Sequence, residues 1–185
     1  MATPEIRPYS LEELRGFVAV AKEQDDALRL TIYLWLVLLG GLREGEILRL
    51  SFLAALNAPE GIVVEGRLGD RLVPRTPYAL RMLLVLRATM MGHSDDFVFG
   101  DHGKPLHREY IRRRWVSVLG FEPLAMRRSG AVALVDAAAS PEEMTAHFGW
   151  LDLPPGVPAE KAAMPTNRCI EDALQELEQR LGFPL

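Results

Sequence analysis

Cysteine is nearly absent from this sequence, and this absence excludes two classes of protein. Cys169 is the only cysteine among 185 residues, so no disulfide can form within the chain and no set of thiols can hold a structural metal. The four histidines, His93, His102, His107 and His147, lack the clustered spacing of metal ligands. We therefore expect neither a disulfide-stabilised secreted domain nor a metalloprotein, and we expect no cofactor.

A long hydrophobic run is also missing. The longest stretch without a charged residue extends from Leu30 to Leu42, well short of the roughly 20 residues that a membrane-spanning helix requires. The first residues include the acidic Glu5 and no apolar segment, which argues against a secretory signal. These absences predict a cytoplasmic protein with no membrane partner. With 49% hydrophobic residues, the chain can still bury a core of its own.

Positive charge is in deficit overall but is unevenly distributed. The formal net charge is −4, which by itself argues against a protein that holds nucleic acid electrostatically. Residues 61–128, however, contain 12 Lys or Arg residues against 7 Asp or Glu, and the segments on either side are acidic. The central third therefore suits contact with a polyanion, and ordinary scatter of surface charge is the alternative explanation.

Helical periodicity dominates the sequence. Ser10 and Glu13 form a capping box, which predicts a first helix over Leu11–Lys22. A nearly all-apolar helix should follow as the centre of the core and end at Gly40-Gly41. Apolar spacing, with proline or capping residues at several starts, predicts further helices over about 42–50, 77–87, 107–119, 124–139, from 140 onward, and 167–182.

Two short β-rich runs interrupt the helical pattern. Ile62–Val64 and Leu72–Pro74 are apolar and β-branched, and a Gly-Asp tip, Gly69-Asp70, lies between them. This arrangement is typical of a β-hairpin. The sequence therefore predicts a mostly α fold with one small β-hairpin (α+β).

The helix predicted over 107–119 is basic and amphipathic. Ile111, Trp115 and Val118 should face the core. Arg108, Arg112 and Arg113 should face outward. Contact with DNA is one interpretation of this charge run, and a solvated helix face is the other.

Four sequence segments carry a resemblance to a known family. In chain order they read YSLEEL, LLGGLREGEILRL, FVFG with the following GKPLHREYIRRRW, and LAMRRSGAVALVDAAASPEEMTAHFGW. Together they resemble the catalytic domain of the tyrosine recombinase (phage integrase) family, including its Gly-Leu-Arg-x-x-Glu signature and its His-x-x-Arg helix pair. The resemblance implies one catalytic-like domain over residues 1–185, with a C-terminal helix and without the family's N-terminal core-binding domain.

The resemblance also implies a phosphate-binding site. In the family a tyrosine attacks a DNA phosphate, two arginines bind its nonbridging oxygens, and a lysine on the hairpin protonates the leaving oxygen. Guanidinium groups suit this task because they stay charged and match phosphate oxygens bidentately. Carried over by position, Arg43 and Arg127 are the phosphate-binding arginines, and Trp150 occupies the family's His/Trp position after Gly149.

The positions that depart from the family pattern concern the chemical step. The hairpin lysine position falls on or near Arg67, a permanently charged side chain that is a poor proton donor. Leu124 replaces the histidine of His-x-x-Arg. The nucleophile would lie near Ala159, but no tyrosine follows Tyr110. The resemblance therefore implies a recombinase-like protein that has no catalytic residue of its own and should not cut DNA.

The leading interpretation is a degenerate recombinase domain that binds DNA weakly through its phosphate backbone and modulates recombination or integration. The residues predicted to contact DNA are Arg43, Arg67, Arg112, Arg113, Arg127, Arg128 and Trp150. One alternative is an active strand-cleaving enzyme that takes its tyrosine from a partner or uses another nucleophile.

A second alternative is a protein-interaction module with no DNA role. Its partner would be a recombinase or a second copy of this chain, docked on the C-terminal helix. That helix carries an apolar stripe formed by Ile170, Leu174, Leu177 and Leu181. Packing of the same stripe within its own chain explains the pattern equally well.

Overall fold

The computed structural model describes residues 7–66, 69–91, 93, 96–137, 139–150 and 169–183. The helices are α1 (Leu11–Lys22), α2 (Ala27–Leu38), α3 (Glu44–Arg49), α4 (Phe52–Leu56), α5 (Pro77–Thr89), α6 (Arg108–Ile111), α7 (Ser117–Leu119), α8 (Pro123–Asp136), α9 (Pro141–Phe148) and α10 (Ile170–Leu181). The strands are β1 (Gly61–Val64), β2 (Arg71–Pro74), β3 (Gly100–Asp101) and β4 (Lys104–Pro105). The predicted fold class, mostly α with a small β-hairpin, is confirmed.

The capping box predicted at the start of α1 is present, and a second capping box fixes the start of α9. In α1 the Glu13 amide donates to the Ser10 hydroxyl over 3.3 Å, and the Ser10 amide donates to the Glu13 carboxylate over 2.7 Å. In α9 the same exchange joins Ser140 and Glu143. Each exchange satisfies two backbone N–H groups that a helix start would otherwise leave unpaired.

The centre of the core is α2, whose side chains from Leu30 to Leu38 are all buried. It packs against α1, α5 and α8, as expected of a helix that is apolar on nearly every face. It approaches α8 most closely at Gly130, where an added Cβ would lie 1.7 Å from the Leu38 carbonyl oxygen. No helix in the described part of the chain is both long and apolar enough to cross a membrane.

The predicted hairpin is confirmed as an antiparallel pair, β1 with β2, whose register joins Gly61 to Pro74 and Val64 to Arg71. Its second strand begins at Arg71, one residue earlier than predicted. Ile62, Val64 and Val73 are buried, so one face of the hairpin closes the core.

The prediction of a helix over about 42–50 is wrong at its C-terminal end, where the helix stops at Arg49. The chain leaves α3 at Arg49, because Leu50 adopts an extended conformation with ψ 115°. A second short helix, α4, then starts at Ser51, whose hydroxyl accepts from the Ala54 amide over 3.1 Å. The break comes from this serine, which caps a new helix more readily than it continues an existing one.

The prediction that Val118 faces the core is also wrong. The segment 107–119 is helical, but Arg112–Val116 forms a π-helical turn between α6 and α7. A π turn holds more residues than an α turn, so it rotates the residues after it. Ile111 and Trp115 are buried as predicted, whereas the next inward residue is Leu119 and Val118 is 49% exposed.

The apolar stripe of α10 is buried within its own chain. Ile170, Leu174, Leu177 and Leu181 are at most 7% exposed, and α10 packs on α1 and α8. Of the two interpretations of this stripe, the structure matches packing in the same chain. Docking of a recombinase or a second copy through these side chains loses its sequence basis, since they are already covered.

A buried carboxylate attaches α10 to the rest of the core. Glu178 is 3% exposed and accepts from the Trp35 indole N–H over 2.6 Å and from the Thr76 hydroxyl. Burial raises the pKa of Glu178, and the two hydrogen bonds only partly oppose this shift. The side chain therefore joins α10 to α2 and to the start of α5, at the cost of a buried charge.

Replacing Glu178 with glutamine should make stability less sensitive to pH. Because the folded-state pKa is raised, the wild type loses stability as the pH rises from about 4.5 through that pKa. Urea denaturation should show similar midpoints for Glu178→Gln and wild type near pH 4 and a more stable variant near pH 8. The control Glu178→Leu leaves two buried donors unpaired, so it should be about 2 kcal/mol less stable than Glu178→Gln at either pH. A difference between wild type and Glu178→Gln that is constant with pH would contradict this assignment.

Candidate functional site

An open cavity of about 330 Å³ lies between α3, the β-hairpin and the end of α9. It is lined by Arg43, Glu46, Gly66, Gly69, Asp70, Arg71, Thr145, Ala146, Gly149 and Trp150. We call it the Arg43 cavity. Its lining combines two arginines with two acids, and a third arginine, Arg127, lies close by in the core.

Arg43 is placed at the rim of this cavity by a tight turn between α2 and α3. Gly41 has a φ of +62°, and a Cβ there would lie 2.4 Å from the Phe148 ring, so only glycine fits. Arg43 follows as the residue before α3, and its amide donates to Glu46 over 2.7 Å. The exposed Arg43 side chain donates from Nη2 to the Gly149 carbonyl over 3.3 Å.

Arg127 is buried in the protein and does not line the cavity. It is 5% exposed, and its guanidinium donates from Nε to the Gly41 carbonyl over 2.5 Å and from Nη2 to the Phe148 carbonyl. The guanidinium carbon lies 5.1 Å from the centre of the Trp150 ring. Burial, together with the nearby positive charges of Arg43 and Arg71, lowers the pKa of Arg127 to about 9, and the charge of Glu46 partly opposes this shift.

The two arginines identified from the sequence therefore converge. Arg43 and Arg127 donate to the carbonyls of Gly149 and Phe148, which are adjacent in the chain. They differ in access, because Arg43 faces the cavity and Arg127 lies behind its wall. Contact of Arg127 with DNA stays a prediction, and it requires that this wall move.

Arg71 and its partner Glu46 belong to this site, and neither was among the site residues predicted from the sequence. The Arg71 guanidinium donates two hydrogen bonds of 2.9 Å to the Glu46 carboxylate and one of 3.1 Å from Nε to the His147 carbonyl. The pairing of the two hairpin strands could have identified Arg71 as a residue of the site. Arg71 is paired with the buried Val64, and directly paired residues of an antiparallel hairpin share a face, so Arg71 had to point inward.

Glu46 is the counterion at the centre of the site. The side chains of Glu46 and Arg71 are 4% and 11% exposed. Burial opposes the ionisation of Glu46, but hydrogen bonds from Arg71 and from the Arg43 amide outweigh it and bring its pKa below the ordinary value. The carboxylate is therefore charged at neutral pH, and it orders both arginines.

The last turn of α9 forms one wall of the cavity. Trp150 is half-buried and stacks on Phe148 with ring centres 4.5 Å apart and planes at 14°. His147 is 2% exposed, and its Nε2 lies 2.6 Å from the Leu39 carbonyl oxygen. Burial lowers the pKa of His147 to about 4, so the ring is neutral near pH 7, donates from Nε2 and is unsuited to supply a proton.

Three other arginines of the prediction, Arg112, Arg113 and Arg128, do not line the Arg43 cavity. Arg112 faces outward only in part, since it donates to the buried Glu44 over 3.2 and 3.3 Å. Arg113 is 85% exposed and lies 3.9 Å from Glu109. Arg128 is partly exposed on α8. Arg67 lies outside the described residues.

Two positions bear on the prediction that this chain does not cut DNA. Leu124, which the sequence resemblance aligns with the histidine of His-x-x-Arg, is 42% exposed at the start of α8. The segment 151–168, where the family's nucleophile would lie, is outside the described residues. In the described ranges, no group of three His, Cys, Asp or Glu side chains is arranged to hold a metal ion.

Comparison with known proteins identifies the fold. No family model and no curated protein matches this chain. The crystal structure of XerA recombinase is similar over 97% of this chain and 65% of its own, with a TM-score of 0.67 and 15% identity. The Tn1549 transposon integrase in complex with transposon right end DNA matches over 97% and 67%, with a TM-score of 0.64 and 15% identity.

The integrase from mycobacterium phage Brujita is also similar, over 98% of this chain and 60% of its own, with a TM-score of 0.62 and 16% identity. This chain therefore spans about two thirds or less of the length of these proteins. At such low identity the likeness shows the fold alone. The fold is that of recombinase and integrase catalytic domains, as the sequence segments predicted.

Proposed function

We propose that this chain binds DNA through a backbone phosphate placed in the Arg43 cavity and does not cleave it. The observation that supports this most directly is the meeting of three guanidinium groups, those of Arg43, Arg71 and Arg127, at one helix end. Planar guanidinium donors match phosphate oxygens and stay charged. Such a cluster is costly to assemble, since like charges repel, unless an anion balances it.

The charges around the cavity favour an anion. Three arginines face two acids, Glu46 and Asp70. Burial is the main cause of the lowered pKa of Arg127, and the positive charges of Arg43 and Arg71 add to it. An oxyanion in the cavity would relieve this repulsion, because an opposite charge nearby favours the charged form of a base. Arg43, as the exposed member of the cluster, would make the first contact.

The identity of the partner is supported by the fold. The Tn1549 integrase, whose fold this chain shares over 97% of its length, is in complex with DNA. Binding to a phosphate backbone needs no conserved base-reading residues, so it tolerates the low identity between the two chains. We therefore propose a role in DNA recombination or integration, with DNA as partner.

The absence of cleavage is supported by the residues that replace the family's chemistry. The sequence has no tyrosine after Tyr110, and Leu124 cannot carry a proton. General acid assistance typically contributes 10² to 10⁴-fold to a rate. A chain without this group and without the nucleophile should hold a phosphodiester and leave it intact.

Replacing Arg43 with alanine should weaken DNA binding by about tenfold or more, since it removes a charge-assisted phosphate contact. Fluorescence anisotropy with labelled duplex and junction DNA at low salt would measure the dissociation constants. The logarithmic salt dependence of affinity should also fall by about one contact. Arg81→Ala is the matched control, because Arg81 is an exposed arginine on α5, a helix that contributes nothing to the cavity lining.

Two results would contradict the proposal. Equal losses for Arg43→Ala and Arg81→Ala would show that only overall charge matters, and an absence of binding to either DNA would reject DNA as partner. A covalent protein–DNA adduct on a denaturing gel with a nicked suicide substrate would reject the non-cleaving part alone.

A further inference from the structure

The last turn of α9 already occupies the guanidinium groups of the site. Three consecutive carbonyls each accept a hydrogen bond from a different arginine. The His147 carbonyl accepts from Arg71 over 3.1 Å, the Phe148 carbonyl accepts from Arg127, and the Gly149 carbonyl accepts from Arg43 over 3.3 Å. We call the segment His147–Trp150 the α9 turn.

The electrostatics of this contact resemble those of anion binding. The final carbonyls of a helix have no partner within the helix and carry partial negative charge. Cationic side chains commonly satisfy such carbonyls at helix ends. Here three of them do so at once, so the α9 turn presents to the arginines a row of oxygen acceptors much as a phosphate would.

A phosphate that reached all three arginines would have to displace this turn. Nε and Nη2 of Arg127 are both bonded to backbone carbonyls, and the Phe148 and Trp150 rings lie 5.6 and 5.1 Å from its guanidinium carbon. The route from the cavity to Arg127 is therefore closed by the turn itself. A phosphate oxygen carries more negative charge than a carbonyl oxygen and can pair bidentately with a guanidinium, so a phosphate would compete well against a carbonyl.

The conformation of the turn requires a glycine, and one of its contacts is long. Gly149 has a φ of +61°, and a Cβ there would lie 3.1 Å from Nη1 of Arg71. The bond to Gly149 comes from Arg43, the exposed arginine, and at 3.3 Å it is the longest of the three bonds from arginines to the α9 turn. It should therefore be the first to exchange its carbonyl for an incoming anion.

We propose that the α9 turn is an internal ligand of the three arginines and that a DNA phosphodiester displaces it on binding. This inference rests on the proposed function. It adds that the site inhibits its own binding of DNA, because His147–Trp150 must first leave the arginines and this release costs free energy. A change that loosens the turn but leaves the three arginines in place should then tighten the binding of DNA.

Hydrogen exchange of the full chain with and without duplex DNA tests this. The Gly149 and Trp150 amides donate to the Ala146 and Thr145 carbonyls, so release of the turn should speed their exchange by about tenfold. Exchange of α1 amides should stay unchanged, which controls for general destabilisation. If DNA binds and exchange at Gly149 and Trp150 is unchanged or slower, the inference fails while the proposed function stands. If DNA does not bind, both fail.

Affinity gives a second, independent readout. Gly149→Ala strains the positive φ and crowds Arg71, so it should undock the turn before DNA arrives. Competition predicts that this variant binds duplex DNA at least about twofold more tightly than wild type, because a larger fraction of molecules is ready to bind. Weaker binding by a folded Gly149→Ala would mean that the turn supports the site, and would overturn the proposal. If the variant does not fold, the exchange experiment on the wild type decides alone.

Discussion

Replacing Gly130 with alanine should destabilise the protein by about 3 kcal/mol or more. The added Cβ would lie 1.7 Å from the Leu38 carbonyl oxygen and 2.8 Å from its carbonyl carbon. Both atoms belong to the backbone of α2, and a helix backbone cannot yield as a side-chain tip can. The helices must therefore separate, which opens the centre of the core. Urea denaturation followed by circular dichroism would measure the loss.

Gly16→Ala is the matched control for this substitution. Gly16 lies within α1, and a Cβ there would meet nothing within 4 Å. Alanine favours a helix over glycine by up to about 1 kcal/mol, so this variant should be as stable as wild type or more so. Equal stability of the two variants would show that α2 and α8 do not approach each other as closely as described. That contact matters for the site, because α8 carries Arg127 and α2 leads into the turn before Arg43.

Replacing Glu46 with glutamine should cost about 3 kcal/mol, since it leaves the guanidinium of Arg71 buried without its carboxylate. The pair is bidentate, with both bonds at 2.9 Å, and both side chains are mostly buried. Arg71→Met should lower the free energy of unfolding by a similar amount, because it leaves the Glu46 carboxylate buried without its partner. The double variant should lose less stability than the two single variants added together, since it leaves no unpaired charge buried. Strict additivity would contradict the pairing.

The loss of stability in Glu46→Gln should also depend on pH, in a direction that follows from the pKa of Glu46. The folded-state pKa of Glu46 lies below its ordinary value of 4.5. A lowered carboxyl pKa contributes stability that is present above about pH 4.5 and is lost as the pH falls through the folded-state value. The difference between wild type and variant should therefore be full at pH 7 and shrink in acid. A difference that grows in acid would contradict the assignment of Glu46 as the counterion.

Local signals explain which parts of the fold could be predicted. The start of α1 was correct to the residue, because Ser10 and Glu13 interact with backbone atoms only three positions away. The hairpin was predicted from two short β-rich runs and the Gly-Asp tip between them, which are also local features of the sequence. The π-helical turn at Arg112–Val116 has no such signal, since it depends on how Trp115 and Leu119 fit the core, and the face of Val118 was therefore predicted wrongly.

Sequence order alone could not predict the state of each arginine. Arg43 and Arg127 were identified as a pair by their sequence surroundings, and they do converge. That Arg127 is buried beneath Phe148 and Trp150 depends on where α8 meets the end of α9. That Arg112 is bonded to Glu44 depends on contact between α3 and α6 with its π turn. The sequence shows that a residue is charged, but it does not show whether the partner of that charge is water or a buried carboxylate.

Residue types and short spacings were enough to show that this chain is mostly helical, that a glycine turn precedes Arg43, and that no tyrosine follows Tyr110. Three further features emerged from the folded chain alone: Arg71 joins the site, Arg127 lies behind it, and three carbonyls of the α9 turn accept hydrogen bonds from the guanidinium groups. They could not be predicted because the partners of a guanidinium depend on proximity in space. Packing of α2 against α8 and of the hairpin against α9 creates that proximity, and no local pattern records it.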